Sequence, residues 1–229
     1  MNISMHNNLA NHARLWQLIS PALPVGAYAY SAGLEYAVDI GWVDNEEKAY
    51  DWILGQLQNS LSTLDAPILA RLYKAWLENN SDKADYWSRF LLASRESSEL
   101  LAEDRQMGNA LAQLLPELGI AEAVSWRGHN HTSFCSMFAL GAVHWKIPVE
   151  EAMSGYLWAW CENQVAAAIK LIPLGQTAGQ RILANTINSL PAAVEKGLLL
   201  SDDEIGAVSP GVAMASARHE VQYSRLFRS

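Results

Sequence analysis

The stretch PVEEAMSGYLWAWCENQVAAAIKLIP, residues 148–173, decides the fold. Pro148 suits the first position of a helix, and Pro173 ends the periodicity, so we expect one long helix from roughly Val149 to Ile172. At about 100° per residue, one face of it should enter the core. That face comprises Leu157, Cys161, Gln164, Val165, Ala168 and Ile172. The opposite face is smooth and comprises Ala159, Glu162, Asn163, Ala166, Ala167 and Lys170.

Helical periodicity continues on both sides of this stretch. Asn45 can cap one helix, Ser31 a short one before it, and Pro67 suits the first turn of another. The run Ser201-Asp202-Asp203-Glu204 reads as a capping box. No alternating strand pattern competes with these signals, and no repeat of 20–50 residues is visible. The pattern therefore predicts an all-α protein.

Two further segments complete the expected organisation. A long helix should run from Ser94 to Leu115, and residues 117–131, with two glycines and few periodic apolar positions, should form a linker. We expect a single domain over residues 1–229, a helical bundle of about ten helices with a long central helix. The polar N-terminus, about 1–8, should be flexible.

Composition narrows the class of protein. Hydrophobic residues make up 50% of the chain and charged residues only 17%, and there are nine Trp residues. Either the core is large or partners cover part of the surface. The net charge is −8 and no basic stripe is present, which argues against nucleic-acid binding.

Targeting signals and cysteine usage point to the cytoplasm. The first sixteen residues lack an apolar core segment, and the greasiest stretch, 152–172, is interrupted by polar residues, so we expect neither a secretory signal nor a membrane span. Cys135 and Cys161 are most simply buried thiols in a reducing compartment.

Motifs of catalysis are missing from the sequence. There is no phosphate-binding Gly-x-x-x-x-Gly-Lys-[Ser/Thr] loop, no Gly-x-Ser-x-Gly elbow and no cysteine pair with zinc spacing. His129 and His131 could grip a metal ion, but two imidazoles make a weak site, so a solvated pair is favoured. We therefore expect no enzyme activity, no cofactor and no metal site.

A group of acidic residues lies in the middle of the chain. Glu99, Glu103 and Asp104 stand among Arg95 and Arg105. Spacings of three and four residues on a helix place such side chains beside one another at the surface. The sequence therefore predicts surface ion pairs here rather than a catalytic carboxylate pair.

The segment 216–229 is the first candidate binding element. It combines large apolar or aromatic side chains with three arginines, on an otherwise acidic protein. Tyr and Arg are common interface anchors, so we expect this tail to dock on a partner rather than fray. Because it is polar, it should contribute little to the protein's own core.

The turn at residues 21–30 is the second candidate. Two prolines and Gly26 fix the backbone of a loop that carries Tyr28 and Tyr30. One tyrosine should pack inward and the other should be exposed, and local sequence does not decide which.

Five motifs together resemble the urease accessory protein UreF family. They are SPALPVGAYAYSAGLE (20–35), LASRE (92–96), EDRQMG (103–108), KLIPLGQ (170–176) and SARHEVQYSRLFRS (216–229). The similarity spans nearly the whole chain and keeps the motifs in order. It favours Tyr28 as the functional tyrosine of the turn.

The resemblance implies a non-catalytic maturation factor. It would pair with UreD (also called UreH), form a homodimer and recruit the GTPase UreG to apo-urease for nickel delivery. The implied partner-binding residues are Tyr28, Glu35, Lys170, Arg218, His219, Tyr223, Arg225, Leu226, Phe227 and Arg228. Two alternatives stay open: a strict regulator of UreG that supplies a catalytic Arg225 or Arg228, and a helical enzyme with a buried pocket.

Overall fold

The computed structural model describes residues 3–207 and 209–229. Within these residues there are eleven α-helices and no β-strand, which confirms the all-α prediction. The helices are α1 (Ile3–Leu18), α2 (Leu34–Asp39), α3 (Glu46–Gln56), α4 (Ala66–Leu77), α5 (Ser81–Ala93), α6 (Ser98–Glu117), α7 (Phe134–His144), α8 (Val149–Leu171), α9 (Gln176–Ile187), α10 (Leu190–Leu199) and α11 (Pro210–His219).

The N-terminal segment expected to be flexible falls partly outside the described residues, because residues 1 and 2 are not among them. The rest of that segment, 3–8, forms the first turns of α1. No helix within the described residues is both long and apolar enough to cross a lipid bilayer.

Helix α8 is the centre of the bundle, as expected. It packs against α2, α3, α4, α7, α9 and α10. The face predicted to enter the core is buried throughout, including the polar Gln164. Its opposite face is partly open, with Ala166 and Lys170 exposed. A single hydrophobic core runs through the helices that surround it.

Helices α3 and α4 join into one continuous rod through a π-helical segment, Leu57–Asp65. Asn45 caps the start of α3 as predicted, by accepting from the Lys48 N–H at 3.0 Å. At the far end, the Ala66 N–H donates to the Leu61 carbonyl five residues earlier, which is the π-helical spacing. Pro67 lies in the first turn of α4, as the sequence predicted.

The predicted start of the long helix at Ser94 is wrong. Helix α5 ends at Ala93, residues 94–97 form a loop, and α6 begins at Ser98 with Ser97 as its cap. The side-chain oxygen of Ser97 accepts from the Leu100 N–H at 3.1 Å. The loop carries Arg95, whose guanidinium pairs with Asp65 and Asp104 in the interior.

The predicted linker at 117–131 is also wrong. It contains a 3-10 turn, Ala121–Trp126, that packs against α6. Ala123 and Trp126 are buried, and the Trp126 ring meets Trp76 edge-on at 5.3 Å between centroids. Too few apolar residues occur here to show periodicity, but a buried Trp is enough to fix the segment to the core.

Helices α6 and α7 approach closely at Gly108. A Cβ atom at this position would lie 2.5 Å from the Ser133 carbonyl carbon and 2.7 Å from the Phe134 nitrogen, both of them backbone atoms. Backbone cannot move aside as a flexible side chain can. The glycine is therefore required by the packing of α6 against the start of α7.

We expect Gly108→Ala to destabilise the protein by about 1 to 3 kcal/mol, the usual range for overpacking. Gly55→Ala is the matched control, because Gly55 is also helical and its Cβ would meet nothing within 4 Å. That change should stabilise by up to about 1 kcal/mol through helix propensity. Denaturant unfolding of both variants measures the difference. Equal midpoints would contradict the packing argument.

Candidate functional site

The N-terminal turn resolves the question of the two tyrosines. Gly26 adopts a positive φ of 79° and leads into a 3-10 turn, Ala27–Ala29. Tyr30 is 4% exposed and its hydroxyl donates to Gln106 Oε1 at 2.6 Å. Tyr28 is 68% exposed. Tyr28 is therefore the tyrosine that the turn presents to solvent.

Glu35, in the first turn of α2, anchors the C-terminal segment. Its carboxylate accepts from the backbone N–H of Leu226 at 2.6 Å and of Phe227 at 2.8 Å. The same carboxylate lies 3.0 Å from His219 Nε2. Glu35 is buried, so these contacts replace the water that its charge would otherwise need.

His219 bridges two carboxylates. Its Nδ1 lies 2.7 Å from Glu99 Oε2, while its Nε2 faces Glu35, and the side chain is wholly buried. The two ring nitrogens therefore connect α11 to both α2 and α6. Arg225 adds an ion pair to the other oxygen of Glu99 at 2.9 Å.

The last residues are held against the N-terminal turn. The Arg228 N–H donates to the Ala29 carbonyl at 2.8 Å, and the Ser31 N–H donates to the Ser229 carbonyl at 3.0 Å. The Ser31 hydroxyl donates to the same oxygen. These bonds place the turn with Tyr28 and the C-terminal segment side by side, so the two candidate elements form one surface.

The expectation that residues 216–229 contribute little to the core is wrong. Ser216, His219, Phe227 and Ser229 are all buried in this chain. Lys170 at the end of α8 lies over the Phe227 ring, with 5.4 Å from Nζ to the centroid. The sequence missed this because the partners, such as Glu35, are nearly two hundred residues away along the chain.

The residues nominated for partner binding thus divide into two groups. Glu35, His219 and Phe227 are buried and position the segment, so they offer no side-chain surface in this conformation. The exposed group forms what we call the C-terminal patch, together with the neighbouring Val221: Arg218, Val221, Tyr223, Arg225, Leu226 and Arg228. Tyr223 is fully exposed. Tyr28 and Lys170 lie exposed at the adjoining turn and helix end.

A cavity of about 210 Å³ lies beneath the turn that carries Tyr28. Leu23, Met107 and Trp160 contribute apolar walls, and Asn163 of the smooth α8 face also lines it. Gln56 faces it with a buried amide nitrogen that has no hydrogen-bond partner among the described residues. The smooth face of α8 is therefore the wall of a cavity as well as a helix contact.

A buried ion cluster forms the charged wall of this cavity. Arg95 Nη2 lies 2.6 Å from Asp65 Oδ1 and 2.7 Å from Asp104 Oδ2. Asp104 also accepts from the Phe134 N–H at 2.8 Å, and the Tyr156 hydroxyl lies 3.3 Å from Asp65. The cluster ties together the end of the π-helical segment, the 94–97 loop, α6, α7 and α8.

The predicted surface pairing of Glu99, Glu103 and Asp104 is therefore wrong. Asp104 is buried against Arg95, Glu99 pairs with His219, and Glu103 accepts from the Ser229 hydroxyl at 2.8 Å. Burial raises the pKa of Glu103 to about 7, although the hydrogen bond from Ser229 lowers it. Local spacing could not reveal these partners, since each lies on another element.

Neither thiol offers a nucleophile. Burial raises the pKa of Cys161 to about 12, and burial followed by Asp65 raises that of Cys135 well above its usual range. Both stay protonated at neutral pH, and the thiol is the unreactive form. The cysteines are buried, as the sequence predicted.

A family model described as UreF matches residues 43–186. The chain belongs to the UreF family. It is similar to proteins named urease accessory protein UreF from three bacteria. The relative from Alkalilimnicola ehrlichii is 54% identical over 94% of this chain and 95% of that protein. The relative from Hahella chejuensis is 47% identical over 94% of this chain and 97% of that protein. The relative from Teredinibacter turnerae is 48% identical over 98% of this chain and 100% of that protein.

Membership of the UreF family supports a role in urease maturation, since its members are named accessory proteins. The family model ends at residue 186, before the C-terminal patch, whereas the relatives match nearly the whole chain. The UreF motifs at the two ends of the sequence contact each other in the fold, where Glu35 binds His219, Leu226 and Phe227. We call this contact the buried anchor.

We expect Glu35→Ala to release the C-terminal segment. The change leaves the Leu226 and Phe227 amides and the His219 ring without their carboxylate, and each buried polar group that loses its partner costs about 1 to 3 kcal/mol. Hydrogen exchange at the Leu226 and Phe227 amides should accelerate sharply. Tyr223→Ala is the control, because this side chain is fully exposed and should leave both exchange rates unchanged. Persistent protection in Glu35→Ala would refute the anchor.

The raised pKa of Glu103 predicts a pH dependence of stability. Its pKa is about 7 in the folded state against 4.5 for the free side chain, so folding favours the protonated form. The contribution is full below pH 4.5 and is lost as the pH rises through 7. By linkage it is at most about 3 kcal/mol, and smaller where water reaches the carboxylate.

Glu103→Gln should remove this dependence. Relative to the variant, the wild type should lose free energy of unfolding between pH 4.5 and 7, measured by urea titration at each pH. Glu122→Gln, an exposed carboxylate in the 3-10 turn, serves as the control and should track the wild type. Parallel curves for the wild type and Glu103→Gln would show that burial does not shift this group.

Proposed function

We propose that this UreF-family protein is a non-catalytic adaptor in the maturation of urease. In this proposal it pairs with UreD, and the pair recruits the GTPase UreG to apo-urease, so that nickel reaches the urease active site. The chain itself supplies surfaces and not chemistry. We further propose that it acts as a homodimer, as the family resemblance implies, and in the cytoplasm, as the cysteine usage suggests.

The observation that carries the proposal is the C-terminal patch. It exposes Tyr223 and Leu226 beside three arginines, on a protein whose net charge is −8. Exposed aromatic and arginine side chains on an ordered backbone are typical of interface anchors. The buried anchor on Glu35 holds that backbone, so a partner would meet a preformed surface and lose little entropy on binding.

The position of the turn extends this surface. Because the Arg228 N–H bonds to the Ala29 carbonyl, Tyr28 lies next to the C-terminal patch in the fold. Lys170 reaches the same region by lying over Phe227. Three motifs that are distant in sequence thereby support one docking face, which suits a partner that contacts all of them at once.

The geometry also bears on the alternative of a strict GTPase regulator. An arginine finger must reach into a partner's active site, whereas Arg225 is engaged by Glu99 at 2.9 Å. This ion pair favours a docking role for Arg225. The GTP chemistry is assigned to UreG, which agrees with the lack of a phosphate-binding loop in the sequence.

The double variant Tyr223→Ala/Leu226→Ala tests the docking face. Because two exposed anchors are removed, we expect affinity for UreD to fall on the order of tenfold to a hundredfold, with unchanged thermal stability. Leu199→Ala is the matched control, since Leu199 on α10 is also an exposed leucine and lies outside the patch. Affinity is measured by calorimetry with purified UreD. Equal affinities for the three proteins would refute the proposal.

Arg225→Ala separates the adaptor from the regulator within the assembled complex. The adaptor predicts weaker recruitment of UreG with a normal GTP turnover once the complex is saturated. A catalytic arginine predicts the reverse, a turnover reduced about a thousandfold or more at intact affinity. The second pattern would establish the regulator.

A further inference from the structure

The loop before α7 brings two histidines against an aspartate of α5. His131 Nδ1 lies 2.8 Å from Asp85 Oδ1, and His129 Nδ1 lies 3.8 Å from the same oxygen. One candidate ligand atom from each of the three residues lies within 4.8 Å of the other two. The sequence had favoured a solvated histidine pair, because the third member is on another helix.

The loop that carries these histidines is rigidly placed. Ser88, on the same helix as Asp85, donates to the His131 carbonyl at 2.5 Å and meets the Ser133 hydroxyl at 2.6 Å. The Thr132 hydroxyl donates to the Trp126 carbonyl at 2.6 Å. The loop backbone is thus fixed to α5 and to the buried 3-10 turn, and the close contact of His131 with Asp85 joins the loop to α5 at the site itself.

The His129 and His131 rings pack against neighbouring aromatic groups and remain partly open to solvent. The His129 ring lies 5.3 Å from the buried Trp126 ring and 5.4 Å from His131, centroid to centroid. The side chains of His129, His131 and Asp85 are 43%, 34% and 32% exposed. An ion can therefore reach the cluster from solvent, while the protein side of each ring is packed.

We propose that Asp85, His129 and His131 form a binding site for a divalent transition-metal ion such as Zn²⁺ or Ni²⁺. Transition-metal ions such as these prefer a donor set of two imidazoles and one carboxylate, whereas hard cations such as Mg²⁺ prefer oxygen ligands. Three protein ligands leave the remaining positions to water. The site is separate from the C-terminal patch and does not depend on the proposed partners.

Binding would clamp the 127–133 loop to α5. The rings would rotate to bring the donor atoms, which lie within 4.8 Å of one another, to the roughly 2 Å metal–nitrogen distance that these ions require. The imidazole nitrogens must be unprotonated to bind, so uptake of the ion should release protons. The bound ion should also raise the melting temperature, because it binds only the folded arrangement.

The test uses the untagged full-length chain after treatment with a chelator. Calorimetric titration with Zn²⁺ and with Ni²⁺ should show a site that is absent with Mg²⁺. Both His129→Ala/His131→Ala and Asp85→Asn should weaken that site at least tenfold, since even outer-shell changes cost about 10- to 100-fold in affinity. Circular dichroism should show that all variants keep the helical fold.

His12→Ala is the matched control. His12 is a surface histidine 3.2 Å from Glu151, an imidazole beside a carboxylate without the second histidine. It should keep the wild-type affinity and the metal-dependent rise in melting temperature. If the wild type binds neither ion, or if the double variant binds as tightly as the wild type, the site does not exist. Equal loss in His12→Ala would likewise overturn the assignment.

Discussion

The buried carboxylate of Glu35 is the constraint on which the exposed surface depends. A charge taken out of water must be compensated, and here the compensation comes from two backbone amides and a histidine of the last dozen residues. Glu35 therefore cannot be satisfied unless the C-terminal segment is in place. The segment in turn has no other buried acceptor for the Leu226 and Phe227 amides within the described residues. Each half of the contact requires the other.

A second buried charge cluster organises the interior. Arg95 links the π-helical segment to α6 through Asp65 and Asp104, and its planar fork bonds to both carboxylates. Such a cluster adds little net stability compared with apolar packing, because desolvation offsets the attraction. The cluster instead specifies the packing, because it pairs the 94–97 loop with the end of the π-helical segment and with α6. That specificity fits its position in the wall of a cavity beneath the Tyr28 turn.

Much of the fold was predictable because helical periodicity and capping residues are local features of the sequence. The buried face of α8 follows from helical periodicity, and the caps at Asn45 and Ser201 follow from residue type. The true start of α6 was missed because Arg95 turns inward to partners on other elements. The 117–131 segment was missed because a single buried Trp126 holds it.

The candidate site was predictable only in part. The sequence identified the turn and the C-terminal segment and expected one inward and one outward tyrosine. The family resemblance implied roles for Glu35 and His219. It could not tell which of these residues face solvent, because exposure depends on contacts across nearly the whole chain. Asp85 had no local signal at all, since its histidine partners lie 40 residues or more away in sequence.

The length of chain between the two halves of the anchor affects when the anchor forms during folding. His219 and Glu35 are 184 residues apart, and Ser31 and Ser229 are 198 apart. Closing loops of that size carries an entropy penalty that only a formed helical bundle can offset. These contacts should therefore form late in folding, after the bundle has assembled between them. A partner that recognises the C-terminal patch would then bind only molecules that have finished folding. The presence of the docking surface would therefore indicate that the whole chain is correctly folded.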